Sequence, residues 1–171
     1  MSDELKLSLP EYDEEEFGKK YAELSQCKIE IPENITTLGF TGINTVFTKV
    51  QAMLDRVNEL LAEATQKEAL AKAMYEATKS AVEAKYAALL SSKSQGEYQS
   101  IKILEAQVND ALAVDKKLMQ RAKLTLGLFV AYRKTVQGKY KNLESAKENL
   151  SMIANNYKRQ MPPPVWANPS H

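Results

Sequence analysis

The sequence is most constrained by how few helix-breaking residues its long central part contains. Six glycines and six prolines occur among 171 residues, and no proline lies between Pro32 and Pro162. Within that span apolar residues recur at intervals of three and four, which places their side chains on one face of an α-helix. The sequence therefore predicts an all-α protein built from long helices.

Two segments carry this helical spacing. The first covers about 46–90, and its apolar positions are Val46, Val50, Met53, Val57, Leu60 and Ala64, then Ala69, Ala73, Ala77, Ala81, Ala84 and Ala88. The second covers about 98–158, with apolar positions at Ile101, Leu104, Val108, Ala111, Leu118, Ala122, Thr125, Phe129, Tyr132, Val136, Tyr140, Leu143, Leu150 and Tyr157. The polar stretch SSKSQGE (91–97) between them predicts a hairpin loop. The alanines are small enough to let a neighbouring helix approach closely.

This pattern predicts a long antiparallel helical hairpin over 45–159 with coiled-coil-like packing. We expect an irregular acidic arm before it (1–44) and a Pro-rich tail after it (160–171). Asn44 or Thr45 is a plausible cap of the first long helix, and a bend is expected near Asp115 or Gly138. Two thin helices leave apolar surface uncovered, so we also expect a homo-oligomer.

Three residues allow alternative interpretations. Asp115 falls on the apolar stripe and either pairs with a cation across the helix interface, which the pattern favours, or faces water at a helix break. Cys27 is interpreted as a small buried side chain, with a redox role as the alternative. The tail is either a disordered end or a polyproline segment that anchors Trp166 in a partner.

Several classes of protein are disfavoured by what the sequence lacks. A single cysteine excludes an internal disulfide framework and suggests a reducing cytosol. The acidic N-terminus has no apolar core of a signal peptide, and no run of about 18 apolar residues predicts a membrane span. The one histidine is His171, and zinc, calcium, phosphate-loop and hydrolase motifs are missing. We therefore expect neither a metal, a cofactor nor an enzyme.

The charges are segregated along the chain. The formal net charge is only +1, yet residues 1–34 contain 4 basic and 10 acidic residues. Residues 116–159 contain 11 basic residues against only Glu144 and Glu148. Such asymmetry predicts a polyanion-binding segment together with an acidic tail.

The basic segment supplies the candidate binding residues, because a polyanion that neutralises them gains affinity by releasing counterions. They are Lys116, Lys117, Arg121, Lys123, Arg133, Lys134, Lys139 and Lys141. Tyr132 and Tyr140 either stack on bases or, since both lie on the apolar stripe, pack in the core. No motif of a duplex-reading helix is apparent, which favours single-stranded DNA.

The segment AVDKKL, the apolar helix after it and a basic stretch that leads into an amphipathic run resemble the helical region of UvsY-type recombination mediator proteins of tailed phages. A preceding long helix, a Gly-containing polar loop and Tyr98 match in order and spacing, and the resemblance covers about 60–157. It implies a small helical protein that assembles into a ring-like homo-oligomer and binds single-stranded DNA. It also implies a role in loading a strand-exchange recombinase onto DNA covered by a single-strand-binding protein.

The resemblance implies a second location for the DNA contact. In the family the basic patch lies at the end of the first long helix, which here reads KSAVEAKYAALLSSK and contains Lys79, Lys85 and Lys93. Glu83 interrupts these lysines and departs from the family pattern, which favours a contact at 133–141 instead.

Two other functions fit the sequence. The chain could be a helical structural or adaptor component of a viral assembly that binds no nucleic acid. It could instead be a small inhibitor of a host protein that uses the acidic arm as a phosphate mimic. If the protein is phage-encoded, we expect it in the cytoplasm of the bacterial host.

Overall fold

The computed structural model describes residues 13–32, 35–94 and 101–160. Along the chain the elements are α1 (Glu14–Gln26), a 3-10 helix (Ile35–Leu38), α2 (Gly39–Ser94), α3 (Ile101–Ala111) and α4 (Ala113–Gln160). No strand occurs in these ranges, which confirms the all-α prediction. Helix α2 continues to Ser94, so the prediction of a loop is wrong for residues 91–94, which are helical. The rest of the predicted loop (95–97) and nearly all of the predicted tail lie outside the described residues.

The first helix corrects the prediction that the acidic arm (1–44) is irregular, since residues 14–26 are helical. The carboxylate of Asp13 accepts hydrogen bonds from the backbone N–H groups of Glu15 (2.9 Å) and Glu16 (3.2 Å). Its carbonyl accepts from the N–H of Phe17 at 3.0 Å, so Asp13 caps α1. Three glutamates fill the first turn, where the helix dipole favours negative charge.

Helix α2 begins earlier than predicted. It starts at Gly39, whose φ of 66° lies in the left-handed region that favours glycine. The prediction that Asn44 or Thr45 caps this helix is therefore wrong. Both residues lie inside the helix, where the Thr45 hydroxyl donates to the Thr41 carbonyl at 3.0 Å.

The second long helical segment is interrupted once, at Leu112. Two hydrogen bonds of helical type span the interruption, from Leu112 N–H to Val108 C=O (3.1 Å) and from Lys116 N–H to Leu112 C=O (2.9 Å). It lies three residues before Asp115, close to one of the two positions predicted for a bend. Helix α4 runs through the other position, Gly138, without a break.

Packing divides the described chain into two units. Unit 1 consists of residues 13–17, 63–94 and 101–134. Within it α2 and α4 are antiparallel, since Glu68 pairs with Arg133 whereas Lys85 pairs with Asp115. The Phe17 ring of α1 enters its core, 5.4 Å from the Phe129 ring and edge-on to Tyr132 at 4.9 Å. Further buried side chains are Ala64, Ala71, Met74, Val82, Val108, Leu112 and Ala122.

Unit 2 consists of residues 18–32, 35–62 and 135–160. The start of α2 and the end of α4 are antiparallel here too, with Lys147 over the Phe47 ring (5.7 Å) and Lys158 over the Phe40 ring (5.1 Å). Cys27 is buried, as the first interpretation has it. The rest of the core is Leu24, Ile35, Ile43, Val50, Leu54, Val57, Leu60, Val136, Leu143 and Leu150.

The burial follows the predicted stripes only in part. Ala111 and Leu118 are exposed and Leu112 is buried, because the buried face of this segment runs through Val108, Leu112 and Ala122 at helical intervals that do not include Leu118. The alanines that were expected to admit a neighbouring helix all lie on an exposed face of α2, namely Ala69, Ala73, Ala77, Ala81, Ala84 and Ala88.

Two glycine substitutions test the start of α2 at Gly39 and the continuity of α4 at Gly138. A Cβ added at Gly138 would meet no atom within 4 Å, so Gly138→Ala should raise the free energy of unfolding by about 0.5–1 kcal/mol through helix propensity. Gly39→Ala should lower it, because an alanine is strained at a φ of 66°. Urea unfolding followed by far-UV circular dichroism measures both. Equal effects of the two variants would contradict the assigned start of α2.

Candidate nucleic-acid interface

Helix α4 supplies most of the predicted binding cations and almost no carboxylates of its own. Between its start and residue 143 the only acidic residue is Asp115. Because neighbours in this stretch offer no negative charge, each cation must find a carboxylate on another helix or stay in solvent. Some cations of α4 contact groups on other helices, and the others are exposed to solvent.

Three of the predicted cations contact groups inside unit 1. Arg133 donates to the Glu68 carboxylate of α2, and the two side chains are only 26% and 22% exposed. Lys85 of α2 pairs with Asp115 at 2.9 Å, which is the interhelical ion pair favoured for Asp115. Lys116 donates to the Asn109 side-chain oxygen at 2.5 Å and lies 6.0 Å from the Tyr86 ring centroid. These contacts hold the helices of unit 1 together.

The two predicted stacking tyrosines are not equivalent. Tyr132 is 1% exposed and its ring is packed on Phe17, so a base cannot stack on it while α1 is in place. Tyr132 therefore packs in the core, which is the second of the two alternatives that the sequence allowed for it. Tyr140 is half-buried and belongs to unit 2.

Five predicted cations are exposed and have no ion pair with any described carboxylate. They are Lys117, Arg121, Lys123, Lys134 and Lys141. Lys79 and Lys139 are half-buried, and the side chain of Lys93 lies outside the described residues.

Helix periodicity brings two of the exposed lysines of unit 1 onto one face of α4. Lys134 follows Lys123 by eleven residues, an interval close to three whole turns. Gly127 lies between these lysines, is exposed and has open space where a Cβ would be, so no side chain projects from the surface there. We call Lys123 and Lys134 the outer row.

The acidic helix α1 binds cations of α2. In unit 1, Glu16 pairs with Lys67 at 2.7 Å, and the Lys67 ammonium lies 5.5 Å from the Phe17 ring centroid. In unit 2, Glu23 accepts a hydrogen bond from Arg56. These residues were missed from the sequence. The pattern of Asp13 followed by three glutamates was the available signal, since it is a helix N-terminus.

Arg56 of α2 also shows how electrostatic contacts hold α1. Its guanidinium donates hydrogen bonds to the carboxylates of Glu23 on α1 and Glu59 on α2, and both carboxylates raise the pKa of Arg56 above its ordinary value. Both the arginine and its partners stay partly in solvent, so the contact fixes position more than it stabilises the fold.

The described residues contain no group of three or more His, Cys, Asp or Glu side chains placed to hold a metal ion. None of the helices in the described ranges has an apolar stretch long enough to cross a membrane.

Comparison of this chain with protein-family models, with curated proteins and with solved structures finds no match.

The pairing of Arg133 predicts that its substitution acts on stability. Arg133→Met and Glu68→Gln should each destabilise the fold, with a coupling of about 1 kcal/mol between them in a double-mutant cycle, because the pair is partly shielded from solvent. The exposed neighbour Lys134→Met should change the free energy of unfolding by less than about 0.5 kcal/mol. Urea unfolding of the four variants measures these effects. Fully additive losses for Arg133 and Glu68 would show that the pair contributes nothing.

Proposed function

We propose that this chain binds single-stranded DNA along the outer row of α4, as an accessory protein of recombination. The observation that carries the proposal is the set of exposed α4 cations without described carboxylate partners. Cations in this state have counterions to release when phosphates replace them, and that release is the main source of affinity for nucleic acid.

Single-stranded DNA fits the outer row better than duplex. The row extends over roughly 17 Å of one helix face in unit 1, at 1.5 Å per residue. A single strand is flexible enough to place its phosphates against both lysines, whereas a duplex presents its phosphates on two fixed helical paths. The row itself contains no asparagine, glutamine or arginine that could read base edges, so the binding is expected to tolerate any sequence.

The role in recombination rests on the resemblance to UvsY-type mediators. On that basis we propose a ring-like homo-oligomer that holds single-stranded DNA and helps load a recombinase where a single-strand-binding protein covers the strand. The placement of Lys85 in an ion pair with Asp115 supports moving the DNA contact from the end of α2 to α4.

A salt titration tests the DNA contact. We expect fluorescence anisotropy to show binding of labelled oligo-dT that weakens steeply between about 50 and 200 mM salt. Lys123→Ala with Lys134→Ala should flatten the log–log salt dependence by about 1.4 per bound chain, since each phosphate contact to a single strand contributes about 0.7.

The matched control is Lys72→Ala with Lys102→Ala. These lysines are also exposed in unit 1, but they lie on α2 and α3. The control variant should show the same log–log dependence of binding on salt concentration as the wild type. No binding of oligo-dT at low salt would remove the proposed function and leave a structural or adaptor role. Equal slopes for wild type and the Lys123/Lys134 variant would place the contact away from the outer row.

A further inference from the structure

Helix α4 carries a second stripe, of apolar and basic residues, that none of the described residues covers. In unit 1 the residues Val114, Lys117, Arg121, Leu124 and Leu128 follow each other at intervals of three, four, three and four. All five are exposed, and Val114 and Leu124 reach 80% and 69%. We call these five residues the α4 strip.

The α4 strip is distinct from both the core and the outer row. The core residue Phe129 directly follows Leu128, and Lys123 of the outer row directly precedes Leu124, so each lies about 100° away around the helix. Single exposed leucines are ordinary on a protein surface. A row of them at the spacing of a helix–helix contact is typical of an interface.

The charges of the α4 strip indicate what covers it. Lys117 and Arg121 are its charged members, and no carboxylate lies on the strip. A complementary helix therefore needs carboxylates within about one turn of these two cations, and small side chains opposite the leucines.

Helix α2 presents such a surface in the same unit. Ala69, Ala73, Glu76, Ser80 and Glu83 follow each other at intervals of four, three, four and three, and all five are exposed. Neither glutamate forms an ion pair with a described residue. We call these residues the α2 strip.

The two strips match when the helices run antiparallel. Ala69 then lies opposite Leu128, and Ala73 lies opposite Leu124, so each leucine meets a small side chain. In the same register Glu76 lies opposite Arg121.

Lys117 lies opposite Ser80, and the nearest carboxylate of the α2 strip is Glu83, one turn further along and opposite Val114. The spacings agree at every step, since both strips alternate intervals of four and three.

We propose that the α4 strip of one copy packs on the α2 strip of a second copy of this chain. Both strips are exposed in one and the same molecule, so each is available to another copy. Since α2 and α4 are antiparallel within unit 1, the contact places neighbouring copies in the same direction. A contact between two different surfaces repeats from copy to copy and closes into a ring or continues as a filament.

The proposed contact between copies does not involve DNA, so its test uses the protein alone. Light scattering after size exclusion, at micromolar concentrations of the full chain, should show wild type as an oligomer. Leu124→Glu disables the α4 strip, and Ala73→Glu disables the α2 strip. Each variant alone should be a monomer with unchanged helicity by circular dichroism, because both positions are exposed.

Mixing the two variants gives the sharpest result. The intact α2 strip of the Leu124→Glu chain can bind the intact α4 strip of the Ala73→Glu chain, and the complex cannot extend further. The mixture should therefore contain a dimer that neither variant forms alone. Met152→Glu, at an exposed apolar position of unit 2, is the control and should assemble as wild type does.

A charge exchange tests the register. Glu76→Lys should weaken assembly by placing a cation opposite Arg121, and Glu76→Lys with Arg121→Glu should restore it. A monomeric wild type throughout the micromolar range would overturn the proposal. So would wild-type assembly by Leu124→Glu, or a mixture of the two variants that stays monomeric.

Discussion

The shortage of carboxylates on α4 governs both the packing of unit 1 and the candidate interface. Charges that face α2 are matched there, because Glu68 accepts from Arg133 and Lys85 reaches Asp115. The outward-facing cations of the outer row have no ion pair with any described carboxylate. The outer-row lysines therefore stay in solvent, where a chain of phosphates can replace their counterions.

In unit 1, α4 presents three different faces. Phe129 and Tyr132 face the core and receive the ring of Phe17 from α1. The α4 strip and the outer row lie on the remaining circumference, one apolar and basic, the other basic. The proposed contact between copies uses Lys117 and Arg121, whereas the proposed DNA contact uses Lys123 and Lys134.

The sequence predicts burial best where large apolar residues recur over many turns. Burial of Val50, Val57 and Phe129 follows from such spacing. The alanines of α2 recur as regularly but are exposed, because alanine fits a solvent-facing helix surface as well as a core. Helix α1 is short and acidic, and its docking through Phe17 depends on residues far along the chain.

The candidate site was predictable as a region but not residue by residue. Composition locates the cations on α4, yet it cannot separate Arg133 from Lys134, which are adjacent in sequence. Their difference arises because one side chain reaches Glu68 on α2, whereas the next one points about 100° away. Only the packing of two helices distant in sequence decides which cation is matched.

Residue-resolved acylation of lysine amines, read by mass spectrometry with and without oligo-dT, tests the central claim most directly. The account predicts that DNA protects Lys123 and Lys134 from acylation and leaves Lys72 and Lys102 as reactive as before. Binding of oligo-dT with no protection of Lys123 or Lys134 would contradict it.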